Sequence, residues 1–82
     1  MGTSEPVPLA VPHMGLVEEV LLVEWLVEEG AIVAAGDEVV TVETDKVETE
    51  LVAPASGSIK IIVQPGDDEI PVGTVLAEIH PI

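Results

Sequence analysis

The centre of the chain reads Val42-Glu43-Thr44-Asp45-Lys46-Val47-Glu48-Thr49. The triplet Val-Glu-Thr stands on both sides of the polar pair Asp45-Lys46. Strand-forming residues around a short polar pair predict a β-hairpin with that pair as its turn. In this register Glu43 faces Glu48, and like charges opposed on a sheet repel each other. The pattern predicts a lysine raised on a hairpin tip among carboxylates, although an ordinary surface turn with a solvated lysine has the same pattern.

Alternation of apolar and polar residues continues on both sides of this hairpin. It runs through residues 47–52, 59–64 and 75–80, as is typical of half-buried strands. Residues 16–29 also have the length and charge of an amphipathic helix. A period of two fits them better, because it places one apolar set on a single face, namely Leu21, Val23, Trp25 and Val27. This face predicts a core position for Trp25 rather than a place on an exposed binding surface.

The two halves of the chain resemble each other. Each half contains a strand, a turn ending in glycine, a short apolar stretch, a second glycine and another strand. The matching glycines are Gly30 with Gly66 and Gly36 with Gly73, at offsets of 36 and 37 residues. Such a duplication predicts two four-stranded units related by a pseudo-twofold, with their apolar faces packed together. We expect residues 1–8 to be a flexible segment and residues 9–82 to form one all-β domain.

The composition excludes several classes of function. The 82 residues include 16 acidic side chains, two lysines and no arginine, for a net charge of −14. Binding to nucleic acid or to an anionic membrane needs a basic patch that this chain cannot supply. No apolar run approaches the ~20 residues of a membrane span. Cysteine is absent, so disulfides and thiolate chemistry are excluded, and we expect a cytoplasmic domain.

Catalysis and metal binding find little support in the sequence. The histidines are His13 and His80, and no serine is placed with them in a nucleophile–base pattern. We therefore expect no enzyme activity from this chain. The run Asp67-Asp68-Glu69 has suitable metal ligands but lacks the spacing of a Ca²⁺ loop, so a solvated acidic turn is the simpler interpretation.

Beyond the central hairpin, further motifs give the chain a family resemblance. Trp25-Leu26-Val27 followed by Gly30 precedes the hairpin, and Val72-Gly73-Thr74-Val75-Leu76-Ala77 follows it. With Glu43-Thr44-Asp45-Lys46-Val47 between them, the chain resembles the lipoyl domain of acyltransferase (E2) components of 2-oxo acid dehydrogenase complexes. The resemblance covers residues 9–80.

The resemblance implies a fold and a modification site. The fold would be a flattened barrel-sandwich of two four-stranded antiparallel sheets with quasi-twofold symmetry. Lys46 would carry lipoic acid in amide linkage at the hairpin tip. Glu43, Asp45, Val47 and Glu48 would be read by the enzyme that attaches it. No metal site and no catalytic residue are implied.

The resemblance also implies partners. A lipoate ligase or lipoyl transferase would modify the domain. The swinging arm would then carry acyl groups and electrons between the E1 decarboxylase, the E2 catalytic core and the E3 dihydrolipoamide dehydrogenase. The domain itself would be monomeric, in the cytoplasm or in the mitochondrial matrix of a eukaryote. It would be part of a dihydrolipoamide acyltransferase or a free-standing carrier.

Two alternatives remain. A biotin carboxyl carrier shares the fold and the tip lysine, but it typically has methionines where this chain has Asp45 and Val47. An unmodified barrel-sandwich used as a structural or adaptor module has no need of the Asp45-Lys46 turn.

Overall fold

The computed structural model describes residues 5–13, 15–44, 47–66 and 68–82, and within them eight strands form two antiparallel sheets. In chain order the strands are β1 (Val7–Ala10), β2 (Glu19–Trp25), β3 (Ile32–Val33), β4 (Glu38–Glu43), β5 (Glu48–Val52), β6 (Gly57–Ile61), β7 (Ile70–Pro71) and β8 (Val75–His80). The order β1-β8-β6-β3 defines the terminal sheet, and β5-β4-β2-β7 defines the hairpin sheet. The described residues contain no helix that could cross a membrane. The predicted all-β fold of two four-stranded sheets is confirmed.

The two sheets are related by the predicted internal repeat. If four is added to each strand number of the terminal sheet, with β1 following β8 in the count, the result is the strand order of the hairpin sheet. The backbone bonds repeat too: Gly36 N–H donates to the Ala53 carbonyl at 2.9 Å, and Gly73 N–H donates to the Val11 carbonyl at 2.8 Å. Both glycines have φ near +93°, at 94° and 92°, a conformation that side chains with a Cβ rarely adopt.

The sheets do not coincide with the two halves of the sequence. Each sheet takes two strands from the first four and two from the last four. The two four-stranded units are therefore not formed one from each half of the sequence. The exchange of strands has a physical advantage, because neither half can complete a sheet without the other, so both must fold together to bury their apolar faces.

The core lies between the sheets and consists almost entirely of aliphatic side chains. Val39, Val40 and Val42 of β4 have no solvent exposure, and Leu76, Ala77 and Ile79 of β8 match them on the opposite sheet. These two strands occupy equivalent inner places in their sheets. A strand with neighbours on both sides is screened by them, which explains why even Thr41 on β4 is buried.

A bulge in β2 changes the face that its side chains present. Leu22 is opposite Val42 and Glu24 is opposite Thr41, so Val23 is an extra residue in the strand. A bulge of this kind interrupts strict alternation. Before the bulge, the even-numbered side chains of β2 are buried. After the bulge, Trp25 is half-buried against the core. The strand assignment is confirmed and so is the core position of Trp25, but the single inner face that included Val23 is wrong, because Val23 is 39% exposed.

The first strand begins earlier than expected. Val7 is opposite Ile79 and Pro8 is opposite Glu78, so both residues belong to the terminal sheet rather than to a flexible segment ending at residue 8. Proline cannot donate a ladder hydrogen bond, and β1 is an edge strand where that donor is not needed. The Pro-rich composition of this segment is typical of irregular structure and therefore did not predict a strand.

Candidate functional site

The β4–β5 hairpin has the predicted register up to its tip. The two strands pair from Glu38 opposite Val52 to Glu43 opposite Glu48. Beyond that pair, Thr44 N–H donates to the Val47 carbonyl at 2.8 Å. In the sequence Asp45 and Lys46 join Thr44 to Val47, and both lie outside the described residues.

The described flanking residues are accessible to another molecule. Glu43 is half-buried at the end of β4, and Glu48 is exposed at the start of β5. Val47 is 57% exposed although it is apolar. The opposition of the two glutamates is confirmed, so a pair of carboxylates marks the base of the tip. We call the four residues Glu43, Thr44, Val47 and Glu48 the hairpin neck.

The side chain of Thr44 takes part in closing the neck. Val47 N–H donates to Thr44 Oγ1 at 3.3 Å, and Thr44 Oγ1 lies 3.3 Å from the Val47 carbonyl oxygen, which accepts its proton. Threonine hydroxyls commonly bond to nearby backbone in turns. The sequence pattern alone predicted no role for Thr44. Its place directly before a polar turn pair was the available signal.

An open groove of about 980 Å³ lies beside the neck. Glu43 and Thr44 form part of its wall. The rest comes from the segment before β2, from the start of β2 and from the residue before β7: Leu16, Val17, Glu18, Glu19, Val20, Leu21 and Glu69. Leu16 is fully exposed. The groove could not be predicted from the sequence, because the pairing of Val20 with Ile70 in the sheet brings together segments about 50 residues apart in the chain.

The acidic side of the groove contains a pair of interacting carboxyls. The pKa of Glu19 is raised above its ordinary value of 4.5, first by a side-chain hydrogen bond with Glu69 and then by the charge of Glu69. Desolvation and the charge of Glu18 add to the shift. Asp68 and Glu69 of the acidic run are exposed, while Asp67 lies outside the described residues. No group of three or more metal-ligating side chains occurs in the part of the chain that the structure describes.

Three further polar residues, Ser58, Lys60 and His80, lie on the terminal sheet. Lys60 is exposed in β6 and stands opposite Glu78 of β8. His80 Nε2 lies 3.4 Å from Glu78 Oε1, and Ser58 is the residue opposite His80. Ser56 accepts a hydrogen bond from Ala35 N–H at 3.0 Å, which fixes a turn. Lys60 therefore belongs to a strand of the terminal sheet and not to the β4–β5 hairpin.

Comparison with known sequences gives a consistent pattern. A family model described as "Biotin-requiring enzyme", of biotin- and lipoyl-bearing domains, matches residues 7–79. The chain is 41% identical over 70 residues to the dihydrolipoyllysine-residue acetyltransferase component of an acetoin cleaving system of Pseudomonas putida, covering 84% of this chain and 19% of that protein. It is 45% identical over 78 residues to the corresponding component of the pyruvate dehydrogenase complex of Zymomonas mobilis, covering 94% of this chain and 17% of that protein. The chain thus spans less than a fifth of the length of these two curated relatives.

A solved structure agrees with the sequence matches. The lipoyl domain of the 2-oxoglutarate dehydrogenase complex from Azotobacter vinelandii superimposes with a TM-score of 0.64 and 27% identity. The match covers 90% of this chain and 92% of that domain. The described strands therefore form the same fold as a lipoyl domain.

Proposed function

This chain belongs to the biotin/lipoyl family and has the fold of a lipoyl domain, and from that premise we propose that it carries lipoate on Lys46. The attached arm would shuttle acyl groups and electrons between the components of a 2-oxo acid dehydrogenase complex. One observation supports the proposal above others: the hairpin neck closes with Glu43 opposite Glu48 and leaves Asp45-Lys46 as the residues between Thr44 and Val47.

The described residues fit the attachment of such a group. A lysine amine is the nucleophile needed for an amide bond, and a narrow hairpin can enter the active site of a modifying enzyme while the barrel stays outside. Once attached, the dithiolane supplies the redox and acyl-transfer chemistry. The protein contributes presentation: β4 is held between β2 and β5, so the neck is anchored to the core by buried valines. The exposed Glu48 and Val47 are available for recognition.

The proposed partners follow from the relatives. The curated relatives named above are acetyltransferase components, so we place this chain in a dihydrolipoamide acyltransferase. The partners would be a lipoate ligase or transferase, an E1 decarboxylase, the E2 core and an E3 dehydrogenase. Those relatives serve acetoin and pyruvate systems, which favours placing substrate choice in the other components. The isolated domain would be a monomeric, non-catalytic carrier in the cytoplasm, or in the mitochondrial matrix of a eukaryote.

Acyl transfer to the loaded domain tests this proposal. The lipoylated domain is mixed with a decarboxylase component and its 2-oxo acid, and its intact mass is measured. We expect a mass gain that depends on the 2-oxo acid and disappears in Lys46→Ala. Lys60→Ala is the matched control and should be acylated normally. The proposal would be contradicted if the lipoylated domain were tested with several decarboxylases and none of them acylated it.

A further inference from the structure

We propose that Thr44 is a positioning residue whose hydroxyl holds the hairpin neck closed and so presents the tip for modification; the inference rests on the proposed function of Lys46. Thr44 bonds to Val47 through both its backbone and its side chain. Its backbone N–H donates to the Val47 carbonyl at 2.8 Å, and its hydroxyl accepts from Val47 N–H at 3.3 Å. The hydroxyl also donates to the Val47 carbonyl at 3.3 Å. One side chain therefore serves both polar groups of Val47.

We call the hydrogen bonds between Thr44 and Val47 the clamp. The neck needs this clamp because its charges repel each other. Glu43 and Glu48 face each other directly below it, and opposed like charges push two strands apart. Glu43 is only half-buried and Glu48 is exposed, so water screens the repulsion without removing it. In the described residues no cation is opposite either glutamate, since β4 and β5 contain no lysine. The contacts of Thr44 with Val47 lie on the tip side of this pair and oppose the opening of the strands.

The clamp has a consequence for the modifying enzyme. The neck fixes Thr44 and Val47, the two residues to which Asp45-Lys46 are joined in the sequence. If the neck were open in solution, the enzyme would have to close it on binding and lose affinity by that cost. We therefore expect the hydroxyl to lower the KM of the ligase for the domain, with a smaller effect on kcat. The acidic pair can then be retained for recognition while the neck stays closed.

The test compares three variants in the whole domain. Thr44→Val removes the hydroxyl while keeping a β-branched side chain, and Thr44→Ser keeps the hydroxyl. Thr49→Val is the matched control, because Thr49 is a half-buried threonine of the same hairpin, opposite Val42. The measurements are the KM and kcat of a lipoate ligase for each domain. Amide hydrogen exchange of Val47, followed by NMR, reports directly on the clamp.

We expect Thr44→Val to lower kcat/KM about 3- to 10-fold, mainly through KM, with faster exchange at Val47. Thr44→Ser and Thr49→Val should stay within about twofold of the unaltered domain. Equal KM for Thr44→Val and the unaltered domain, or unchanged exchange at Val47, would overturn the inference while leaving the proposed function intact. Failure of the unaltered domain to be modified at all would instead remove the proposed function and, with it, this inference.

Discussion

At the scale of single residues, Gly57 has the least room of any described glycine. It starts β6 with φ of 153°, and a Cβ placed on it would collide with the carbonyl oxygen of His80. Its Cβ would also lie 2.7 Å from the His80 carbonyl carbon and 2.9 Å from Pro81 Cα. These are backbone atoms, which cannot turn aside as a side chain does. The pairing of β6 with the end of β8 therefore requires glycine, which has no Cβ, at this position.

Gly57→Ala should destabilise the fold. The added methyl group must push β6 and β8 apart, and overpacking against backbone costs about 1–3 kcal/mol of unfolding free energy. Urea unfolding followed by circular dichroism measures the change. Gly66→Ala is the control, because a Cβ there meets nothing within 4 Å and no positive φ is imposed. Equal stability of the two variants would contradict this account of Gly57.

The raised pKa of Glu19 gives a second prediction at this scale. A carboxyl whose pKa is higher in the folded state than its ordinary value of 4.5 binds its proton more tightly when folded. Its stabilising contribution is complete below the unfolded-state pKa and is lost as pH rises through the folded value. Above that value Glu19 is charged, and its repulsion by Glu69 opposes the pairing of β2 with β7.

Glu69→Gln should therefore return the pKa of Glu19 toward 4.5 and reduce the loss of stability on raising the pH through this range. The side-chain carboxyl signals in an NMR titration measure the pKa. Asp68→Asn, which changes a neighbouring exposed carboxylate, should leave it nearly unchanged. A Glu19 pKa that does not move in Glu69→Gln would show that another group causes the shift.

At the scale of elements, the sequence predicted strands far better than it predicted their faces. Alternation at 47–52 and 59–64 corresponds to strands β5 and β6 with the expected inner residues, since Leu51 and Ile59 are buried. It failed in β2, because a bulge at Val23 shifts the phase and leaves no mark in the residue pattern. The groove also escaped prediction, since only the pairing of β2 with β7 brings Glu69 beside Glu19. The local periodicity of the sequence predicts neither the bulge nor this pairing.

Trp25 shows how two elements are held together after the bulge. Its indole Nε1–H donates to the Val63 carbonyl at 2.9 Å, which joins the end of β2 in the hairpin sheet to the segment after β6 in the terminal sheet. Both residues pack against the core as half-buried side chains. The indole thus supplies a donor that joins the end of β2 to the segment that follows β6.

Trp25→Phe should lower the unfolding free energy by about 1–2 kcal/mol, because the Val63 carbonyl loses its donor and some apolar contact is lost. Thermal and urea unfolding followed by circular dichroism measure this change without needing tryptophan fluorescence. Leu26→Ala, at a neighbouring position that is 43% exposed, should change stability by about 0.5 kcal/mol or less. A larger cost for Leu26→Ala than for Trp25→Phe would contradict the assignment.

At the scale of the whole molecule, the two sheets differ sharply in charge. The strands of the hairpin sheet contain six glutamates and no lysine: Glu19, Glu24, Glu38, Glu43, Glu48 and Glu50. The strands of the terminal sheet contain one glutamate, Glu78, opposite the exposed Lys60. The net charge of −14 is thus uneven, and the sheet that holds the proposed attachment hairpin is the acidic one. An uneven electrostatic field of this kind steers the molecule toward basic surfaces and orients the hairpin sheet toward them.

Association with a decarboxylase that has a basic entrance should therefore depend on salt. Raising the ionic strength from about 10 mM to about 1 M shortens the screening length from ~30 Å to ~3 Å, and the association rate should fall about tenfold or more. Stopped-flow mixing measures the rate. Glu24→Gln with Glu50→Gln should reduce the salt dependence more than Glu78→Gln. A rate that does not change with salt would contradict electrostatic steering.

Intact mass measurement after enzymatic loading shows whether Lys46 is the site of lipoate attachment. The domain is incubated separately with lipoate and a lipoate ligase, and with biotin and a biotin ligase, followed by mass spectrometry. We expect one lipoyl addition, retained in Lys60→Ala and lost in Lys46→Ala, and no biotin addition. A biotin addition alone, no addition, or a lipoyl addition that survives in Lys46→Ala would contradict it.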